Sequence, residues 1–590
     1  GLLAVAWDRL IANSAHDSAC ACCTDAVADQ VLVRYAEARQ IGDALADQAL
    51  ADLAAETGSG PGDLLVVNTR PESRSGVVEV SVPAGQDPSA AFVGPDAITR
   101  AVQLLDVTRS ELFAARVAGV KVGWVADRIA GSTFDGQPIR AWSVENGPGR
   151  VLYFEAAGPD EAAVDLKEAR DVLLTFGQDG LPVDVRMQSP PLRRILVETG
   201  PVAGYGWTTL RGPTADETGN EPSGISVRIT TDQRGGPVLD NGIVRVEIDT
   251  DDGTFSIKTR SGLSAQGLNR YADGGDGGDT YTWCPPAADT IVDRPESVAV
   301  DVEEAGPLRG RVVITTTYLW PTRAEGDEDA CTKRSAATTT VAIRTAVSLT
   351  AGDPVVAVET TLDNRCRDHR LRVHFPLPAP VDCSHAGCAF AIVRRGLGTE
   401  GGVAETPPPT FPARRFVDCS GDGMGLAVIA DGVVEYEVVD GGCELAVTLL
   451  RATGWLSRRR LPLRPDPAGP AVPVEGAQVQ GTRRWRYGLV LHSGDWEAAH
   501  LSRLADTFLN PLEVAVGSTA PAGRTRPPEG QVLRVDGAEV SAVVRDAGDL
   551  IARLFNPGSG PASATVGDET IGLRPGEIVS VRAGRRPGGG

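Results

Sequence analysis

Apolar residues repeat at two different periods along this chain, and the change falls near residue 60. Leu2 to Asn13 holds neither Gly nor Pro and is rich in strong helix formers, which predicts a helix ending near Ser14. Thr24 and Asp25 are N-cap residue types for a second, longer helix, in which Val27, Val31, Ala38, Ile41 and Leu45 recur at three-, four- and seven-residue intervals. Gly58-Ser-Gly-Pro-Gly62 ends that helix and serves as a linker. Two helices in series, each with one apolar stripe, imply an antiparallel pair or part of a three-helix bundle.

Beyond the linker the period drops to two. Leu64-Leu-Val-Val67 and Val77-Val-Glu-Val-Ser-Val82 flank a polar turn containing Pro71 and Gly76, which predicts a hairpin. Short strands such as Arg150 to Phe154 continue to residue 211, interrupted by a helical or irregular piece near Asp160 to Asp171 and followed by a polar stretch from Pro213 to Gly224. Leu239 to Asp249 alternates and is answered across Asp251-Asp-Gly253 by Thr254 to Lys258, a second hairpin signal. Long β-branched runs follow at Val312–Leu319, Val341–Leu349 and Val355–Leu362, with further strands at Glu435–Val439, Trp485–Leu491, Leu550–Phe555 and Gly576–Val581. The tail from Arg585 to Gly590 reads as disordered.

The expected fold is mainly β with an N-terminal α-helical bundle, its β part built of antiparallel sandwich or supersandwich domains. The pattern shifts divide it into a helical bundle at 1–60, a first β domain with a short helical insertion at 62–211, a large β-supersandwich at 225–515 and a small C-terminal β domain at 530–584.

Composition narrows the function classes. A net charge of -21 excludes nucleic acid as a partner, because a polyanion needs clustered Lys and Arg. No apolar run approaches the roughly 18 residues of a membrane span, and no signal segment opens the chain, so neither a membrane nor export is expected and the location read is cytoplasmic. The 10 cysteines have no repeated spacing and read as reduced thiols. Cys383-Ser-His385-Ala-Gly-Cys388 lacks the second Cys or His pair that a zinc finger needs. The apolar pattern is already running at Gly1, as if the chain began inside a domain.

One stretch concentrates metal-grade chemistry: His16-Asp17-Ser-Ala-Cys20-Ala-Cys22-Cys23-Thr24-Asp25, between the two helices. That stretch and several later landmarks, taken in order, resemble glycoside hydrolase family 38, the zinc-dependent α-mannosidases, especially the bacterial type. His16 to Cys22 resembles the family's HDSICGC-type signature. Leu239-Asp-Asn-Gly-Ile-Val-Arg-Val is similar to its LENxxLRVE strand, and Gly278-Asp-Thr-Tyr281-Thr-Trp-Cys-Pro285-Pro286 to its GDxYxxxPP loop. Leu449 to Arg458 resembles LLRSxGWLSR, and Phe555-Asn-Pro557 a terminal RLYNP strand.

The family's N-terminal α/β barrel carries a His-x-Asp pair, the nucleophile and the acid/base carboxylate, and no stretch of this chain matches it. The resemblance therefore implies the C-terminal part of a retaining α-mannosidase acting on terminal α-mannosides, with the barrel upstream of Gly1 and no catalytic carboxylate within these 590 residues. It implies that His16 donates one ligand to zinc, that Asp17, Tyr281 and Arg464 contact a mannose-containing carbohydrate, and that the chain alone is inactive. It leaves room for a homo-oligomer. The alternative is a non-catalytic module that binds carbohydrate or assembles subunits. An unrelated sugar-cleaving enzyme would need paired carboxylates in one cleft, for which Asp276, Asp279, Glu435 and Glu437 are available.

Overall fold

The computed structural model describes the chain except for residues 84–90, 147–149, 159–160, 179, 213–225, 328, 330, 518–524, 547 and 584–590. The polar stretch from Pro213 to Gly224 and the tail from Arg585 lie outside the described residues. Strand exceeds helix, 47% to 15%, so the chain is mainly β as its pattern predicts.

The N-terminus forms helix α1 (Leu2–Ala12), a single turn α2 (His16–Ala19) and the long α3 (Asp25–Thr57). The α1 end folds back on α3 through Asn13, whose Nδ2 donates to Val31 O at 3.0 Å and whose Oδ1 accepts from Arg34 at 3.1 Å. Gly58 takes the left-handed conformation, φ 72°, which turns the chain so that Ser59 N reaches Ala54 O at 3.0 Å and closes the helix. Of the apolar stripe, Val31 and Ala38 are buried but Val27 is 44% exposed. Leu2, Leu3, Trp7, Ile11 and Leu32 are exposed as well. This is a helix pair with an open apolar flank, and the expected bundle does not close among the described residues.

The hairpin expected between residues 64 and 82 does not form. Leu64–Asn68 is a central strand, paired on one side with Gly206–Leu210 and on the other with Glu513–Val516, whereas Val77–Pro83 pairs with Leu192–Glu198 in a different sheet. The cause is burial: Leu64, Leu65 and Val66 are 0% exposed, so the strand is covered on both faces and takes a partner at each edge. Arg74 pins the connection as a crossover, donating to Asn68 Oδ1 at 2.9 Å and to Asn510 O at 2.7 Å. The helical or irregular interruption expected near 160–171 is irregular at 161–166 and helical from Lys167. After the short α4 (Val122–Ala126), helix α5 (Lys167–Gln178) bridges strands Arg150–Ala156 and Val183–Gln188, which run parallel and so require a crossover.

The middle of the chain is the antiparallel sandwich that the long β-branched runs predict. Arg309–Pro321, Thr338–Thr350 and Val356–Asn364 are successive neighbours in a nine-stranded sheet, which Gly481–Ser493 extends. The hairpin at 244–259 forms as read, Ile248 opposite Phe255 across a turn in which Gly253 has φ 78°. This hairpin's sheet, the nine-stranded sheet and a five-stranded sheet containing Arg270–Gly275, His369–Pro376 and Glu444–Ala452 share one core, with Val246, Ile314, Val347, Leu371, Phe375 and Leu445 all 0% exposed. Helix α6 (Leu501–Leu509) then leads to two three-stranded sheets that include Asp549–Phe555 and Ile578–Ala583.

Candidate functional site

Strand Arg270–Gly275 and strand Glu444–Ala452 flank His369–Pro376 in the five-stranded sheet, and the loops that follow them run side by side. Two aspartates, both 0% exposed, organise the first loop. Asp276 accepts from Gly278 N at 2.9 Å and from Arg451 Nε at 2.6 Å. Asp279 accepts from Tyr281 N at 3.0 Å, Thr282 N at 2.9 Å and Arg458 N at 2.7 Å. Gly278 is required where it stands, since a Cβ there would meet Thr282 O at 2.0 Å. Thr280 closes the seam, its N donating to Trp455 O at 3.1 Å and its Oγ1 to Leu456 O at 2.8 Å. The Gly278–Pro286 and Leu449–Arg458 motifs, far apart in the chain, are thus one hydrogen-bonded unit.

Arg464 completes that unit. All five of its N–H donors have acceptors: Nε donates to Asp466 O at 3.0 Å, Nη1 to Thr282 Oγ1 at 2.8 Å and Asp279 Oδ1 at 3.4 Å, and Nη2 to Ser457 Oγ at 3.3 Å and to Asp279 Oδ2. The side chain is buried, and its guanidinium lies 5.9 Å from the Tyr281 ring centre. Arg451 and Arg458 act alongside it, Arg451 Nη2 donating to Asp279 O at 2.6 Å and Arg458 Nε to Gly278 O at 2.9 Å. Sequence reasoning missed these two arginines and the scaffold role of Asp276 and Asp279. The available signal was an arginine inside an apolar run, Leu449-Leu-Arg-Ala, which implies a buried anionic partner.

The one-turn helix α2 docks on this loop. Cys22 Sγ donates to Thr280 O at 3.4 Å, and Asp25 Oδ1 accepts from Gly476 N at 3.1 Å, which fastens the start of α3 to the same region. Burial, helped by the neighbouring Cys20, pushes the Cys22 thiol up to about 11, so it stays protonated at neutral pH. His16 and Asp17 are left facing outward, with side chains 93% and 54% exposed and His16 Nε2 3.3 Å from Asp17 Oδ1. Tyr281 is 38% exposed beside them. Burial and then the Asp17 charge raise its phenol above the ordinary tyrosine range, so Tyr281 keeps its proton at neutral pH. Four residues singled out from sequence therefore share one neighbourhood: His16, Asp17 and Tyr281 open outward, and Arg464 lies beneath.

The remaining candidates have internal partners. Glu435 accepts from Thr448 Oγ1 at 2.6 Å and Glu437 from Arg372 Nη1 at 2.7 Å, so neither they nor the two loop aspartates form an open acid and nucleophile pair. Cys383–Cys388 is a strand of the nine-stranded sheet, and its Cys388 thiol turns toward Pro412 O at 3.9 Å. Among the described residues no group of three or more His, Cys, Asp and Glu side chains is gathered to hold a metal. The accessible donors on α2 and at its C-terminal end are the His16 imidazole, the Asp17 carboxylate and the Cys20 thiol, and the pair His16 and Asp17 fits a share of a tetrahedral zinc shell and not the whole of it.

Residues 239–468, which carry both interlocked motifs up to Arg464, match the family model "Glycosyl hydrolases family 38 C-terminal domain". A protein of Halalkalibacterium halodurans named "Putative mannosylglycerate hydrolase" is 26% identical over 344 residues, 54% of this chain and 36% of the relative. An α-mannosidase structure from Enterococcus faecalis V583 superposes with a TM-score of 0.71 at 20% identity, over 98% of this chain and 63% of that one. A family 38 protein structure from Enterococcus faecalis also gives 0.71, at 19% identity over 98% of this chain and 65% of that one. The chain thus spans less than two thirds of the length of each of these relatives. Residues 239–468 thus match the C-terminal domain of glycosyl hydrolase family 38, and the chain as a whole shares the fold of the two Enterococcus faecalis structures.

Proposed function

We propose that this chain is the sugar-facing C-terminal part of a retaining α-mannosidase that hydrolyses terminal α-mannosides with the help of zinc. One observation carries the reading: α2, with His16 and Asp17 exposed, is docked through Cys22 on the loop that presents Tyr281. In this reading Asp17 accepts sugar hydroxyls, and the protonated Tyr281 phenol donates to a sugar oxygen. Arg464, with its donors engaged on Asp279, Thr282, Ser457 and Asp466, holds Tyr281 in place and does not itself touch the sugar. His16 supplies one neutral imidazole to the metal, the other ligands coming from outside this chain. Zinc, when bound, polarises sugar oxygens as a Lewis acid. The catalytic carboxylates also come from outside, so the 590 residues alone do not turn over substrate. The name of the Halalkalibacterium halodurans relative makes mannosylglycerate a substrate to test first. The reading carries a cytoplasmic location with it.

A second reading, a non-catalytic assembly module, is favoured by the exposed apolar flank at Leu2, Trp7, Ile11 and Leu32. Zinc content and p-nitrophenyl α-mannoside hydrolysis separate the two, measured for this chain and for a longer protein with the family's barrel ahead of Gly1. The enzyme reading expects zinc and turnover in the longer protein, both lowered by His16→Ala, and neither in the chain alone. Turnover by the chain alone, or a longer protein indifferent to His16→Ala, overturns it.

A further inference from the structure

The Tyr281 phenol is bordered by a strap of chain that lies outside both interlocked motifs, Pro465-Asp-Pro-Ala-Gly469-Pro470. Its course is fixed at several points. Ala468 N donates to Ser457 Oγ at 3.1 Å, Val472 N to Pro470 O at 2.9 Å and Leu456 N to Val472 O at 2.9 Å. Prolines at 465, 467, 470 and 473 each lock φ at about −65°, so the strap has few ways to move aside.

Where the strap passes the phenol it carries a glycine, and neither backbone nor packing requires one there. The φ of Gly469 lies outside the left-handed region, so this backbone accepts an L side chain. A Cβ would stand 3.4 Å from Tyr281 Oη, 3.7 Å from Tyr281 Cε2 and 3.9 Å from Ser457 Cβ, all ordinary contacts. Gly278, in the loop that carries Tyr281, differs on this point, since a Cβ there meets a carbonyl oxygen at 2.0 Å. What glycine provides at 469 is room. The nearest atom to that room is the hydroxyl of a residue that is 38% exposed, so atoms added at 469 take up space through which a ligand reaches it.

A phenol that keeps its proton offers a donor, and what it meets is an acceptor. In the mannosidase reading of this site, on which the inference rests, that acceptor is a sugar oxygen. We propose that Gly469 is a specificity-determining residue: its bare Cα keeps open the space beside the Tyr281 hydroxyl into which the substrate's oxygen comes, and a side chain there competes with the substrate for it. Alanine narrows that space. A β-branched residue leaves a single staggered position on its Cβ empty and crowds the hydroxyl more.

Two measurements let access to Tyr281 and the mannosidase reading fail separately. In the 590-residue chain, nitration of Tyr281 by tetranitromethane is followed by peptide mass spectrometry, with Tyr35, 45% exposed on α3, as the reference in the same sample. Relative to Tyr35, the Tyr281 rate falls about twofold in Gly469→Ala and about fivefold or more in Gly469→Val, with melting temperatures as the check on folding. Gly469→Ala, whose methyl makes only ordinary contacts, carries the test if the valine variant does not fold. A Tyr281 rate that neither substitution changes overturns the proposal whatever the enzyme does. In the longer protein with the barrel ahead of Gly1, Gly469→Val raises KM for p-nitrophenyl α-mannoside about tenfold and lowers kcat less, and most of the rise disappears in a Tyr281→Phe background. A KM that Gly469→Val leaves unmoved, or a rise equally large with Tyr281→Phe, overturns the specificity role while the mannosidase reading stands. A longer protein that hydrolyses no mannoside overturns that reading and the specificity role with it, and nitration still decides whether Gly469 holds the hydroxyl open.

Discussion

The paired loops at 276–286 and 453–468 and the helical segment α1–α3 touch through Cys22 and Thr280, yet they treat their polar and apolar groups in opposite ways. In the loops, the carboxylates of Asp276 and Asp279 and every donor of Arg464 are directed inward and matched. In the helical segment, His16 stands 93% exposed and apolar residues such as Ile11 and Leu32 face outward, 63% and 65% exposed. The difference separates scaffold from contact surface. Groups already satisfied inside the fold can place a neighbour but have little left to offer a ligand, and those left open are the ones a sugar, a metal or another domain can engage.

Changes in the two regions therefore have unequal consequences. Arg464→Ala strips Asp279, 0% exposed, of its charge partner, and removal of one member of a buried pair costs about 3–5 kcal/mol. The denaturant midpoint falls accordingly, and amide exchange rises across residues 279–284. Arg464→Lys recovers little of it, because an ammonium has three donors for five acceptor contacts. Gly278→Ala forces its Cβ against Thr282 O and costs about 1–3 kcal/mol by overpacking, again read from the denaturant midpoint. His16→Ala removes a side chain with almost no contacts, so stability stays within about 0.5 kcal/mol of the parent. A large loss there would mean that His16 belongs to the scaffold and would erase the contrast.

What could be read in advance follows the same division. The end of α3 was legible because Gly58 turns the chain locally, and its start because Thr24 stands at the N-cap position, though its side chain makes no capping bond. The 244–259 hairpin was legible for the same reason, a Gly turn between two alternating runs. Leu64–Asn68 was misread as a hairpin strand because its partners, Gly206–Leu210 and Glu513–Val516, are remote in the chain and leave no mark within the segment. Arg464 was singled out for contact with sugar. Its five acceptors come from Asp279, Thr282, Ser457 and Asp466, and only the folded loops show that they have claimed it.

The chain's own residues determined the two periodicities, the mainly β class and the concentration of reactive side chains at His16 and Asp17, since each depends on neighbours within a few positions. Tertiary structure alone decided which strands share a sheet, that α2 rests on the Tyr281 loop, and which charged groups are already matched. Burial and hydrogen-bond saturation are properties of groups brought together in space, and here those groups come from segments hundreds of residues apart.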